Sequence, residues 1–174
     1  MVKSVDKFLI DANTLMTASR QYYAYDILPS FWKDFGEEIK KGNIVLLDMV
    51  KSEIDKGQDK LKEWVSERID DFEICNHIDP EIISKYAQIM QYIQESGFYN
   101  EKALNEWARN EVADPWLIAA ASVKEYKLIT FEQSAGPLNS KNKSGRVKIP
   151  DIAKQFDVDV HNLYYMMRQL KIKI

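Results

Sequence analysis

The chain has 174 residues, 24 of them Lys or Arg and 27 Asp or Glu, for a net charge of −3; it has the length of one ordinary domain and no global basic field to draw in nucleic acid. Hydrophobic residues make up 45 % and charged residues 29 %, a globular mix that argues against disorder, and a chain of this size buries roughly 70 % of its unfolded surface with no need of a disulfide or structural metal. The longest apolar run, Trp116 to Ala121, is too short for a transmembrane helix, no basic-then-apolar signal opens the chain, and the single Cys75 excludes an internal disulfide framework, so the expectation is a cytoplasmic protein without a membrane partner.

In chain order, Lys7-Phe8-Leu9-Ile10 is a short apolar run stopped by Asp11-Ala12-Asn13, the pattern of a buried strand ending in a turn. Residues 27–41 carry Ile27, Phe31, Phe35 and Ile39 at four-residue spacing and predict a helix, with Pro29 near its start and Gly42-Asn43 at its end. Ile44-Val45-Leu46-Leu47 is a second buried strand, and Asp48 is placed to cap a helix with Val50 and Ile54 on one face. A short helix over 60–69 and a third strand over 72–75 follow. From Pro80 to Ser96, Ile83, Tyr86, Met90 and Ile93 fall at core spacing, and Gly97 ends that helix.

A helix over 101–111 turns Leu104, Trp107 and Ala108 inward. Asp114-Pro115 opens the next, apolar on most sides from Trp116 to Glu125, because proline is tolerated at the first helical position. Leu128-Ile129-Thr130-Phe131 is a strand, residues 134–145 a polar loop, and Arg146 to Ile149 a candidate edge strand. Pro150 begins a helix, and 160–170 predicts a last one with Val160, Leu163, Met167 and Leu170 inward. Strands alternating with helices imply right-handed crossovers and an α/β fold with a mostly parallel sheet of four to five short strands, closed by C-terminal helices. The domain expectation is one unit over 1–174, with a core over 1–149 and the helices over 150–174.

In such sheets ligands sit beyond the C-terminal ends of the strands, and the strand ends here carry acids. Asp11 follows the first strand, Glu53 lies in the helix after the second, Asp114 opens the helix before the last main strand, and Glu132 follows that strand. Each has a plain structural reading: Asp48 and Asp114 make good caps, Glu53 an exposed helix charge, Glu132 a loop residue. Together they could converge, and clustered carboxylates take up protons unless a cation is present. The histidines, His77 and His161, are not expected at these strand ends, and no thiolate is available. An all-oxygen site favours Mg²⁺ or Mn²⁺, one or two ions, over zinc. Lys141, Lys143, Arg146 and Lys148 form a basic loop that could hold a phosphate backbone or be a solvated tip. Tyr22, Tyr23 and Tyr25 could stack bases or edge the core, and Cys75 is expected as a buried small hydrophobe.

Phe8-Leu-Ile-Asp-Ala-Asn13, Val50-Lys-Ser-Glu53, Ala113-Asp-Pro-Trp-Leu-Ile-Ala-Ala-Ala121 and Leu128-Ile-Thr-Phe-Glu132 resemble the four acidic motifs of PIN-domain ribonucleases in their usual order. Lys148-Ile-Pro-Asp-Ile-Ala153 resembles a PIN-like subfamily with no assigned function. The fourth acid is usually aspartate in the family and is Glu132 here. The resemblance implies a three-layer α/β/α fold and Mg²⁺- or Mn²⁺-dependent cleavage of RNA. It assigns Asp11, Glu53 and Asp114 to the metal, Glu132 to the fourth acidic position, and Asn13 and Thr130 to polar positions behind it. Many small relatives are toxins restrained by an antitoxin protein, and PIN proteins are often homodimers.

Two other functions fit parts of the pattern. A haloacid-dehalogenase-type phosphatase would use Asp11 as nucleophile, although Asn13 replaces its second acid. A non-catalytic PIN-like interaction module, or a DNA-binding one, would use the helices over 150–170, whose apolar spacing resembles a helix-turn-helix.

Overall fold

The computed structural model describes residues 6–174. Its frame is a five-stranded parallel sheet of β1 (Phe8–Ile10), β2 (Ile44–Leu47), β3 (Glu73–Cys75), β4 (Lys127–Ile129) and β5 (Val160–His161), in the order β3-β2-β1-β4-β5. Every residue of β1 and β2 is buried, as a strand covered on both faces requires. Phe8 pairs with both Ile44 and Lys127 in register, which makes β1 the centre.

The chain steps from β1 to β2 to β3 in one direction, then returns past β1 to β4 and β5. Right-handed crossovers therefore put the two sets of helices on opposite faces, giving the three-layer α/β/α arrangement. The first set is α1 (Ala12–Thr17), α2 (Pro29–Lys40), α3 (Asp48–Asp55) and α4 (Lys60–Glu67); α3 packs on both α1 and α4. The second is α5 (Pro80–Glu95), α6 (Glu101–Trp107), α7 (Asp114–Lys124) and α8 (Ile149–Ala153); α7 packs on α5 and α8. The last helix, α9 (Leu163–Leu170), follows β5. The connections reverse between β1 and β4, and that switch point opens a crevice at the C-terminal strand ends.

Local chemistry explains the boundaries. Gly42, at φ +74°, ends α2, and Gly97, at φ +78°, ends α5, both in the left-handed region that glycine enters without penalty. Asp79 caps α5 by accepting the Glu81 amide at 2.9 Å, and Pro80 takes its first turn. Under α2, Tyr23 stacks on Phe31 at 4.0 Å, Trp32 meets Trp64 edge-on at 5.0 Å, and Trp32 Nε1 donates to the Tyr23 carbonyl at 2.6 Å. Cys75 is buried at the end of β3. Among the described residues no helix is long and apolar enough to cross a membrane.

Several expectations need correction. Arg146 to Ile149 is not an edge strand: the loop runs to Lys148, and Ile149 opens α8. The edge of β4 is taken by Val160 and His161, which pair with Leu128 and Ile129. The last helix therefore starts at Leu163 and not at residue 160, with Asn162 capping it through the Tyr165 amide at 3.0 Å. A strand between α8 and α9 also means that these helices form no helix-turn-helix. In α5 the buried residues are Ile82, Ile89 and Ile93, while Ile83 is exposed and Tyr86 and Met90 only half-buried. Ile27 precedes α2 and is exposed, and α6 turns Ala103 and Trp107 inward and leaves Ala108 outside.

Candidate active site at the strand ends

The switch-point crevice is a cavity of ≈ 220 Å³ whose lining includes Asp11, Asn13, Asp114 and Glu132, with Phe131 and Ile149 as apolar wall. Asp11 is fixed from three sides. It caps α1, Oδ1 accepting the Asn13 amide at 2.6 Å, and Oδ2 accepts the Thr130 hydroxyl at 2.7 Å, with Thr14 Oγ1 at 3.4 Å. The same hydroxyls hold the chain beyond β4: Thr14 Oγ1 accepts the Phe131 amide at 3.1 Å, and Thr130 Oγ1 the Glu132 amide at 3.0 Å. Asp11 and Thr130, from adjacent strands, are therefore one rigid unit. Thr130 thus contacts Asp11 through its hydroxyl, and Asn13 contributes its backbone amide to Asp11 while the exposed residue stands on the cavity lining.

Asp114 does not cap its helix. Ala113 takes the cap position, and no side chain bonds the first turn of α7. Its carboxyl is thus not consumed by the helix and belongs to the cavity. Burial first, then the charges of Asp11, Glu132 and Glu53, push it up to about 7 from an ordinary value of 3.8; Lys148 opposes them. Asp11 is also raised by burial, against the lowering effect of its Thr130 and Asn13 hydrogen bonds. Glu53 is not among the cavity-lining residues. It stands half-buried on α3, raised by burial and by the Asp11 charge, with Lys56 opposing.

Glu132 is anchored differently. Its Oε1 pairs with Lys148 Nζ at 2.7 Å, and its Oε2 accepts the Ile149 amide at 2.7 Å, at the first turn of α8. This closes the loop between β4 and α8 over one side of the cavity. The four cations of that loop do not share one surface. Lys141 and Lys143 are exposed, Arg146 lines an open hollow beside α6 with Lys102 and Arg109, and Lys148 turns to Glu132. Of the tyrosines, Tyr23 is buried and Tyr25 stacks on Trp32 at 4.2 Å, whereas Tyr22 is exposed and meets Phe131 edge-on at 5.7 Å.

Among the described residues no three His, Cys, Asp or Glu side chains stand close enough to hold a metal ion as they are. The acidic side chains of the cavity nonetheless offer carboxylate oxygens as donors, the chemistry that suits a hard dication. The histidines stand at the ends of the other two strands, β3 and β5. His161 closes β5 beside Asp159, and His77 follows β3 with Nδ1 2.7 Å from Asp48 Oδ2. Neither lines the acidic cavity. Asp48 does not cap α3 from outside; it is the first residue of that helix and binds His77. Sequence spacing carries no signal for that pair, which spans 29 positions.

Residues 8–174 match the family described as "Domain of unknown function (DUF4411)". A comparison with curated proteins finds no match. Among solved structures the chain is similar to a chain of VapBC2 from Rickettsia felis, a crystal structure bound to a DNA fragment from their promoter. The TM-score is 0.54 at 12 % identity, over 89 % of this chain and 97 % of that one. At that identity the likeness is one of fold.

Proposed function

The chain belongs to DUF4411, and we propose that within it the chain is a divalent-cation-dependent endoribonuclease, the toxin of a toxin–antitoxin pair. The observation that carries this reading is the grouping of Asp11, Asp114 and Glu132 around one cavity at the switch point, with the Asp114 carboxyl pushed up to about 7 by burial and then by its acidic neighbours. Such a group needs a counter-charge to ionise, and an RNA phosphodiester needs one to approach it. Asp11 and Asp114 are the residues that would hold Mg²⁺ or Mn²⁺, with Glu53 beside them. A bound dication supplies the Lewis acidity that activates water and offsets charge building on the phosphate.

The chain's own residues do the rest. Thr130 and the Asn13 amide fix the Asp11 carboxylate, so that its free lone pairs face the cavity without reorganisation. Asn13 and Thr17 offer polar contacts on the cavity wall. Glu132 holds Lys148 and the start of α8 in place, and so shapes that wall. Lys141, Lys143 and Arg146 are exposed cations for the RNA backbone, and Tyr22 presents an exposed aromatic face on Phe131. The antitoxin part of the proposal is supported by the motif resemblance and by the fold shared with a chain of VapBC2.

The test is cleavage of single-stranded RNA with Mg²⁺ or Mn²⁺, with an EDTA control. Asp11→Asn keeps an oxygen for the Asn13 amide and should abolish cation-dependent cleavage while leaving the fold intact. A purified Asp11→Asn variant that cuts RNA as fast as the parent overturns the assignment.

A further inference from the structure

At the ends of β2 and β3, one and two strands from Asp11 along the same sheet edge, lies a second hollow, of ≈ 240 Å³, that the acidic chemistry does not use; its lining includes Asp48, Ser52, Lys56, His77, Asn110 and Glu111. We infer that this hollow binds one nucleotide of single-stranded RNA beside the cut, its base read by His77 and Asn110. The identity of the ligand rests on the ribonuclease reading; the geometry of the hollow does not.

Asp48 directly follows β2, and His77 lies two residues beyond β3. Asp48 fixes the histidine twice, Oδ1 accepting its backbone amide at 3.2 Å and Oδ2 meeting ring Nδ1 at 2.7 Å. Trp116 holds the ring edge-on at 5.0 Å and itself stacks on Tyr86 at 3.8 Å. With Nδ1 committed to the carboxylate, Nε2 is the ring atom left for a ligand, and it is already oriented. A purely structural tie between the two strand ends would account for Nδ1 and the amide. It would not account for a hollow beside the imidazole.

The hollow has the size and the mixture of groups that a base requires. The Asn110 side chain carries a donor and an acceptor on one plane, which is what the polar edge of a base pairs with. Glu111 on the same lining accepts from Arg109 Nε at 2.8 Å. Helix α3 joins the two sites: its Glu53 feels the Asp11 charge, while Asp48 and Ser52 of the same helix and Lys56 just past its end line the hollow. Lys56 lines the hollow, and its charge acts on both Glu53 and Glu111. Its ammonium is the cation on the hollow's lining that a nucleotide phosphate bound there would meet. Neighbouring strands lie about 4.8 Å apart, so one to two strands over is about 5–10 Å, a reach that an extended single strand makes in one or two nucleotides.

The chain has two histidines, so the imidazole NMR spectrum of the full chain contains only His77 and His161. The four nucleoside 5′-monophosphates, ribose 5-phosphate and inorganic phosphate are each titrated, without divalent cation, into the millimolar range. The expected result is a saturable shift of the His77 ring signals with at least one nucleotide, none with ribose 5-phosphate or phosphate, and no movement of His161. Asn110→Ala, an exposed position, should weaken that binding about tenfold. No saturable His77 shift with any nucleotide, or the same shift with ribose 5-phosphate, overturns the subsite. Cleavage is scored separately. A chain that cuts RNA with Mn²⁺ but binds no nucleotide at His77 loses the subsite and keeps the nuclease; a chain that binds nucleotides there but cuts nothing keeps the subsite and loses the nuclease.

Discussion

Thr130 Oγ1 lies 2.7 Å from Asp11 Oδ2 and 3.0 Å from the Glu132 amide, so one buried hydroxyl donates to the acid that ends β1 and accepts from the acid that follows β4. Thr130→Val preserves the shape of the side chain and removes both bonds. Leaving a buried carboxylate oxygen and an amide underpaired costs about 1–3 kcal/mol, and in a chain of this length that lowers Tm by several degrees. Without the donor the Asp11 carboxyl, already raised by burial, rises further. The expected outcome is a lower Tm together with a cleavage pH profile displaced to higher pH, both restored by Thr130→Ser. Thermal melts and pH–rate profiles of the three proteins check it; a Thr130→Val protein with an unmoved profile would show that the hydroxyl only packs.

Asp114 gives a pH dependence of unusual sign. Its folded-state value is about 7, against 3.8 for the ordinary side chain. A carboxyl raised by folding binds its proton more tightly in the native state, so its contribution to stability grows as pH falls from about 7 to about 4 and is a penalty above that window. At about 1.4 kcal/mol per pH unit, the penalty at pH 8 is on the order of 2–4 kcal/mol. Asp114→Asn removes it. In EDTA at pH 8 the variant should melt above the parent, and the difference should close by pH 4. Mn²⁺ should raise the Tm of the parent at pH 8 and affect the variant little. Differential scanning fluorimetry across pH, with and without Mn²⁺, measures all three; a parent that melts as high as the variant at pH 8 in EDTA contradicts the crowding of carboxylates at this site.

How far the sequence announces this structure depends on whether the determining contacts are local. Phe8–Ile10 and Ile44–Leu47 are uninterrupted apolar runs between turn signals, too short for a buried helix and suited to a strand covered on both faces. Asp11, Asp114 and Glu132 are legible for the same reason, since each stands at the edge of a segment that must be buried. Val160 and His161 are not legible. Val160 falls in phase with Leu163, Met167 and Leu170 and looks helical by spacing, and it becomes a strand because the edge of β4 needs partners: the Leu128 amide finds the Asp159 carbonyl at 2.9 Å and the Thr130 amide the His161 carbonyl at 2.9 Å. The inward turn of Lys148 to Glu132 is likewise set by a loop closing on a helix start, and four cations in eight residues look the same whether they point at water, phosphate or a carboxylate.

That ambiguity makes Lys148 a decisive position. Its ammonium is 2.7 Å from Glu132 Oε1, and its charge opposes the upward push on Asp114. It therefore acts as a resident counter-charge that a dication must work against. Lys148→Met should leave the acidic cavity more negative, raise the Asp114 carboxyl further and lower the Mn²⁺ concentration needed for half-maximal cleavage severalfold. A phosphate-contacting lysine behaves otherwise. Its removal would raise the KM for RNA and reduce the slope of log K against log salt by about one, with no change in the cation requirement. Lys141→Ala and Lys143→Ala, at exposed positions of the same loop, provide that second pattern for comparison. Cation titrations and salt dependences of the three variants separate the roles, and a Lys148→Met protein that follows the pattern of the two exposed lysines would move Lys148 from the acidic cavity to the RNA backbone.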